Sequence, residues 1–564
     1  MDDIYILDKP DPYSVIGLCF LQARCFYQPP VAGQGHSRLC GCYLVQLLDV
    51  SRKLPRLPWP ISYIFYSLST IARMAPVALV FVIFTLVTCL QLLRTRYQKH
   101  LTSIPGPLIA SFSNLWKLAA IYDEDMPGWN KNAHKKYGPV VRIGPSHVSF
   151  ASPRAFHIIH ASRQAFAKSD FYEVGAPAYG GEPLENLFSL RDAQRHATLK
   201  RNIGGLYTKT AVRDFEPHID SCIDLFMKQL AERTRDGPTE LNMSVWLHLF
   251  AYECLSEINV SKKLGFLEQG KDVNGTIESS DKIFYMVGLF TQAPILQSVL
   301  NFLRSLAPAE EAEPILKFTL SEVDERRKST QIHTDMLGKL LDLHLSNPEK
   351  LSIRELTAAI FINLTAGHDV LAITIRAIWY YLASNQHVLS KLRDEIESID
   401  GEHLTSPMIP FTVISKLPYL NAVIQETLRV HPNTGTIIER KAPQEGATID
   451  GYYIPGGTTV GVNAWVLHHD QTIFGKDADE FRPERWLEAS EEKRLEMNQC
   501  LFSFGAGTHT CIGKNIAIMM ISKLVVEFYR LYDAGLANPQ RGWNVHGSWV
   551  TKQTEMDMII SRIW

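Results

Sequence analysis

From Pro76 to Leu93 the chain runs through eighteen residues without a charge (PVALVFVIFTLVTCLQLL). At 1.5 Å per residue this is roughly 27 Å of helix, close to the hydrocarbon thickness of a bilayer. The following positions turn basic (Arg94, Arg96, Lys99) and end on Pro105-Gly106-Pro107, a stiff break. The pattern predicts a transmembrane helix over 76–93 and a basic, proline-containing hinge over 94–107. Residues 1–75 are an N-terminal extension of unassigned role, whose apolar run from Ile61 to Ile71 is suited to lying against a membrane or to a longer hydrophobic hairpin. Beyond the hinge, 108–564 reads as one domain, mainly α with a small β-sheet region. Alternation predicts short strands at Val140–Ile143 and Val148–Ala151. Ser352-Ile353-Arg354-Glu355 is a capping box opening an unusually long apolar-rich helical pattern that reaches about Ser384. Further helical patterns cover Leu420–Val430 and Asn515–Leu531.

Composition adds exclusions. With 46% hydrophobic and 21% charged residues the chain has the make-up of a globular protein with a large core. Its 57 basic and 59 acidic residues give a net charge of -2, no electrostatic footprint for nucleic acid. Nine cysteines, irregularly spaced and odd in number, do not make a disulfide framework, so the bulk of the chain is expected inside the cell. His36, Cys40 and Cys42 lack a second ligand pair at finger spacing and read as coincidence. A cleaved signal peptide begins near the first residue, whereas this apolar segment begins after seventy-five, so the anchor is expected to stay attached. Basic residues also precede the span (Arg52, Lys53, Arg56, Arg73), and the small remaining asymmetry favours a cytosolic main domain. No strand, Gly-x-Gly-x-x-Gly turn and helix occur together, so electrons from a nicotinamide or flavin must come from another protein.

The segment that carries chemistry is Phe504-Gly505-Ala506-Gly507-Thr508-His509-Thr510-Cys511-Ile512-Gly513, just before an apolar helix. Glycines allow positive φ and a close approach to a flat cofactor, while unpaired amides and the helix dipole favour a thiolate at Cys511. The spacing Phe-x-x-Gly-x-x-x-Cys-x-Gly would arise by chance in a chain of this composition only about twice in a thousand. The segment resembles the haem-binding loop of the haem-thiolate monooxygenases, the cytochrome P450 family. The resemblance implies a cytochrome P450 fold, haem b as cofactor and Cys511 as the axial ligand of its iron. It also implies that Phe504, Gly507 and Gly513 shape the loop and that His509, where the family usually has arginine, donates to a haem propionate. An anionic sulfur pushes electron density onto iron and favours O–O cleavage.

Other motifs occur in the family's order. Glu426-Thr427-Leu428-Arg429, followed by Phe481-Arg482-Pro483-Glu484-Arg485-Trp486, implies a buried structural network of Glu426, Arg429 and Arg485. Asp192–Arg201 resembles the propionate-binding helix, with His196 and Lys200 as contacts and Arg201 or Arg440 sharing the task. Ala366-Gly367-His368-Asp369-Val370 resembles the oxygen-binding kink, except that Val370 stands where the family usually has a proton-relaying threonine. Gly367, Asp369 and Thr374, one turn later, are the catalytic candidates; water or a substrate hydroxyl could also take over. Position implies substrate contacts at Phe188, Phe290, Asn363, Ala366, Thr434 to Thr436 and Trp549, a lining suited to a lipophilic secondary-metabolite intermediate.

The details are most similar to filamentous-fungal microsomal members, those related to pisatin demethylase. Such members imply an endoplasmic-reticulum membrane and an NADPH-cytochrome P450 reductase docking near Lys514, with cytochrome b5 as an optional second donor. Val370 leaves two alternatives open: an atypical enzyme that rearranges, dehydrates or couples its substrate, and a haem sensor or electron carrier without turnover.

Overall fold

The structure is a computed structural model that describes residues 59–563, apart from 162–165, 294–295, 297, 300–301, 303–313 and 330. His36, Cys40 and Cys42 lie outside the described residues. The chain divides into two compact units, Met1–Val87 and Thr88–Trp564.

The apolar segment is part of one helix, Trp59–Tyr97, of 39 residues. It differs from the expected span at both ends. Pro76, expected to open the helix, lies within it, and the apolar run Ile61–Ile71 belongs to the same helix. From Ala78 to Arg94 none of its side chains is buried. The stretch Ala78–Tyr97 is long and apolar enough to cross a membrane; Ile353–Ser384 is too, but it is 67% buried in the protein core.

The segment 94–107 is not a free hinge. Arg94 and Arg96 close the helix, a 3-10 turn follows at Gln98–Ser103, and Leu101 and Ile104 are buried in a core cluster. Arg142 explains the attachment. Its buried guanidinium donates to Arg96 O (2.9 Å), Thr95 O (3.2 Å) and Pro145 O (2.6 Å), so the unpaired carbonyls at the helix end are satisfied by the neighbouring hairpin.

That hairpin, Val140–Gly144 and His147–Phe150, begins a five-stranded sheet. Its order continues through Thr459–Val462, Arg440–Lys441 and Ala167–Lys168, with Thr459–Val462 parallel to His147–Phe150 and the other pairs antiparallel. A three-stranded sheet of Tyr532–Leu536, Asp557–Arg562 and Thr239–Asn242 lies elsewhere in a mainly helical domain. The core element is the long helix Ile353–Ser384. Ser352 Oγ accepts from Glu355 N (3.2 Å) while Ser352 N donates to Glu355 Oε2 (2.9 Å), the reciprocal pair its sequence predicts. It packs along the helix Met243–Val260, and a Cβ added at Gly367 would sit 2.7 Å from Leu255 Cδ1. Glycine at this place lets the two helices close together. Ala366 and Val370, one turn apart on the same long helix, are open although most of the helix around them is buried.

Candidate active site

The cysteine loop hangs between two fixed points. Phe502 is buried and stacked on Phe156 at 4.5 Å, and Gly513 caps the helix Lys514–Tyr529. Between them Gly505 (φ 70°) and Gly507 (φ 60°) take left-handed conformations, and Cys511 N donates to Phe504 O at 2.8 Å, which closes the loop. The side of Phe504 is covered by the Lys514 ammonium, 5.5 Å from its ring. Cys511 is deep in the protein yet open, so its sulfur faces an internal space. Burial raises the pKa of its thiol; the amides of Gly513 and Lys514 and the charges of Lys200 and Lys514 work the other way. The free sulfur therefore favours the proton, and a metal cation bound in its place would supply the missing counter-charge.

A group of basic side chains gathers at the loop. His196 is buried on the helix Ala193–Ile203, and its ring lies 4.5 Å from that of His509. Lys200, on the same helix, spans to the loop itself, donating to Thr508 O (2.8 Å) and Thr510 O (2.6 Å). Arg440 is buried and donates to Tyr172 Oη at 2.7 Å, whereas Arg201 is exposed. Lys168, which no sequence motif marked, joins them from the edge strand Ala167–Lys168, and its ammonium is tied to Leu187 O (2.7 Å) and Phe188 O (2.8 Å). Burial lowers the Lys168 pKa to about 7, with Arg440 and Lys200 adding to it. His196 falls to about 4 and His509 to about 3, first by burial and then by these same cations, with His196 also acting on His509. The Nδ1 atom of His509 is buried without a partner. Like charges held together around an orphaned imidazole nitrogen fit a bound dianion, as a haem carries in its propionates, and the open sulfur fits its iron.

The long helix contributes differently from the expected pattern at several positions. Gly367 is turned to Leu255 and serves packing. Thr374 is buried: its hydroxyl lies 3.1 Å from the Val370 carbonyl as donor and accepts from Asn433 Nδ2 at 3.0 Å, so it is not a free replacement for the missing threonine. Asn363 is likewise engaged, its Nδ2 donating to Tyr207 Oη (2.8 Å) and Asn259 Oδ1 (2.9 Å), which removes it as a free substrate contact. This knot links the long helix to the sulfur loop, because Asn515 Nδ2 donates to Tyr207 O at 2.8 Å. Asp369 is buried with neither oxygen hydrogen-bonded.

An aromatic group forms another part of the interior. Phe188 and Trp549 lie 5.9 Å apart, with Phe171 5.2 Å from Trp549. The ring that reaches Trp549 from the helix Thr276–Phe290 is Phe284 (5.5 Å); Phe290 is half-buried at that helix's end. Thr434 forms a bridge to Val550 and Gly435 N donates to Trp549 O at 2.8 Å, so the 434–436 segment, with Thr436 buried, is paired to the bend that carries the tryptophan between the strands Asn544–Gly547 and Thr551–Thr554.

Glu426, Arg429 and Arg485 meet in one buried network. Arg429 forms a fork on Glu426 (2.9 and 2.7 Å), Arg485 Nε donates to Glu426 Oε1 at 2.9 Å, and Trp486 Nε1 donates to Oε2 at 2.9 Å. Arg429 also donates to His468 O and Ala478 O, tying the segment before the cysteine loop to the helix Pro418–Val430.

The sequence profile of the cytochrome P450 family matches residues 105–549. A cytochrome P450 monooxygenase of Aspergillus terreus is 34% identical over 444 residues, covering 77% of this chain and 90% of that protein. The monooxygenase cicH of Emericella nidulans is 33% identical over 80% of this chain and 92% of its own length. Pisatin demethylase of Fusarium vanettenii is 33% identical, over 82% of this chain and 89% of its own. The family match and these relatives, on a mainly helical domain with small sheets, define a haem-iron protein. The chain belongs to the cytochrome P450 family, and it is an oxidoreductase that uses haem iron.

Proposed function

We propose that this chain is a membrane-anchored monooxygenase that inserts oxygen into a lipophilic secondary-metabolite intermediate, with haem b held by Cys511 and electrons from an NADPH-cytochrome P450 reductase. The observation that carries this reading is the open Cys511 sulfur beside a pocket that gathers His196, His509, Lys168, Lys200 and Arg440. When bound, the haem supplies the redox chemistry of oxygen activation. His509, His196, Lys168 and Arg440 would hold its propionates, while Lys200 fixes the loop that presents the sulfur. Glu426, Arg429 and Arg485 keep the segment behind the loop in place.

Phe188, Trp549 and Phe284 would give the substrate an apolar wall, and the open Ala366 and Val370 would leave room for it on the long helix. Asp369, next to Val370 on the long helix, would hand a proton into that room, since Val370 has no donor and Thr374 is engaged. The exposed helix Ala78–Tyr97 supports a single-pass anchor, in the endoplasmic reticulum with the main domain cytosolic. Lys514 offers a contact for the reductase, and cytochrome b5 is an optional second donor.

The test is the carbon monoxide difference spectrum of the reduced full chain beside Cys511→Ser, followed by incubation with reductase, NADPH and candidate terpenoids, polyketides and alkaloids. The wild type is expected to show the long-wavelength band of a thiolate-ligated haem, lost in the variant, and a product heavier by one oxygen. A band without the thiolate shift would overturn the ligand assignment. Product of unchanged or lower mass would favour rearrangement or dehydration, and a normal band with no NADPH consumption would favour a sensor or electron carrier.

A further inference from the structure

Behind the open face of the long helix lies a second cluster of buried titratable groups. His248, from the helix Met243–Val260, meets His368 and Asp369, and all three are buried. His248 Nε2 is 3.1 Å from His368 Nδ1, with ring centroids 5.3 Å apart and planes at 17°, the arrangement of an imidazole-to-imidazole hydrogen bond. The same nitrogen is 3.4 Å from Asp369 Oδ1. Both Asp369 oxygens and His368 Nε2 have no hydrogen-bond partner. Buried polar atoms without a partner are costly to keep, so three around one hydrogen bond call for a function.

The surroundings decide what that function is. Arg376 stands two turns on, its Nε donating to Ser244 O at 2.7 Å and its Nη1 unpartnered. Asp281, on the helix Thr276–Phe290, pairs with Lys552 on the strand Thr551–Thr554, and these two side chains are 38% and 17% exposed. Tyr252 and Phe284 pack on the His368 ring at 4.4 and 6.3 Å. Burial lowers His368 to about 3, with Lys552 and Arg376 also lowering it and Asp281 opposing them; His248 goes down for the same first reason, with Arg376, Lys552 and His368 adding to it. Two cations already press on both imidazoles, so the cluster is poorly suited to a metal cation and well suited to neutral rings that pass a proton.

We propose that His248 and His368 are a buried proton relay that supplies Asp369 from the Asp281–Lys552 pair at the protein surface, in place of the hydroxyl that Val370 lacks. The proposal rests on the reading of Asp369 as the proton donor to the space beside Val370. A solvent proton taken up at the Asp281 carboxylate is carried by a water molecule to His368 Nε2, which has no protein partner of its own. The Nδ1 proton of His368 moves to His248 Nε2, and from that nitrogen to Asp369 Oδ1. Asp369 releases it beside Val370. One proton enters and one leaves, no electron moves, Asp281 and Asp369 end as carboxylates, and His368 resets by tautomer exchange.

The test uses the full-length haem-loaded chain with its reductase, carrying His248→Gln, His368→Gln, Asp281→Asn or Asp369→Asn. Each variant is first checked by its carbon monoxide spectrum. Two quantities are then read. One is NADPH oxidation without added substrate, in H2O and D2O. The other is the downfield imidazole N–H proton signal of the diamagnetic carbon monoxide form and its exchange with D2O. The relay predicts that either glutamine variant loses the signal and slows NADPH oxidation on the order of tenfold with a larger solvent isotope effect. It also predicts that Asp281→Asn keeps the signal but slows its exchange. Asp281 is partly exposed, so that variant keeps the test decisive should a glutamine variant fail to fold. Histidine and Asp281 variants with wild-type rates and isotope effects, beside a slowed Asp369→Asn, would overturn the relay alone. An unaffected Asp369→Asn would instead overturn the underlying reading of Asp369.

Discussion

Glu426 illustrates how much one side chain can organise. Two guanidiniums, an indole N–H and the amide of Arg482 all donate to its carboxylate, which is wholly buried. Removing the acid strands two buried cations at a cost of roughly 3–5 kcal/mol. Glu426→Ala is therefore expected to lower Tm markedly and to purify with less haem, read as the Soret absorbance per mole of protein; full haem content at wild-type Tm would contradict this. Arg429→Lys keeps the charge but loses the fork and the carbonyl contacts to His468 and Ala478, and is expected to recover little of the loss. This network could be read from sequence because Glu-x-x-Arg spacing and the later Arg485 are themselves the pattern. Lys168 could not. It lies on a two-residue strand, and only the pairing of Ala167–Lys168 with Arg440–Lys441 brings it to the pocket. Thr374 shows a different limit. Helical periodicity places it one turn beyond Val370, but whether its hydroxyl faces a cavity or bonds to the backbone and Asn433 depends on its rotamer and neighbours.

Elements whose boundaries rest on local chemistry were readable. The capping box fixed the start of the long helix, and loss of its hydroxyl in Ser352→Ala is expected to destabilise the domain by about 0.5–2 kcal/mol in chemical denaturation. The short strands came from alternation. The first helix runs past the charge-free stretch at both ends, because lack of charge marks a segment that suits a bilayer and not where the helix itself starts and stops. The attachment of 94–107 was hidden for another reason: Arg142, which satisfies the helix end, is distant in sequence. Pairing between distant segments also governs the wall around Trp549. A Cβ at Gly435 would lie 2.6 Å from the Ser548 carbonyl oxygen, a backbone atom that cannot swing aside. Gly435→Ala is expected to cost about 1–3 kcal/mol and to change the fluorescence of the domain through Trp549, whereas an unchanged melting curve would show that the two segments separate freely.

At the scale of the whole domain, burial of histidines sets the pH range of stability. His134 and His431 are lowered to about 4 and His468 to about 3, in each case first by burial. The unfolded chain binds protons at these rings below about 6.5, while the folded chain does not. Their contribution is complete above that pH and is lost as pH falls towards the folded values. Calorimetry between pH 7 and 5 is expected to show a falling Tm with proton uptake on unfolding; a Tm that rises on acidification would reverse the sign.

The cationic pocket has an implication for the life of the protein before it is complete. Lys168, Lys200 and Arg440 are brought close by folding around two imidazoles, so the empty chain works against the repulsion of these cations when it closes. Cofactor supply then becomes a checkpoint on maturation: in haem-starved cells the chain would accumulate partly open around Ala193–Ile203 and be cleared by proteases, and small dianions would slow that loss without restoring activity.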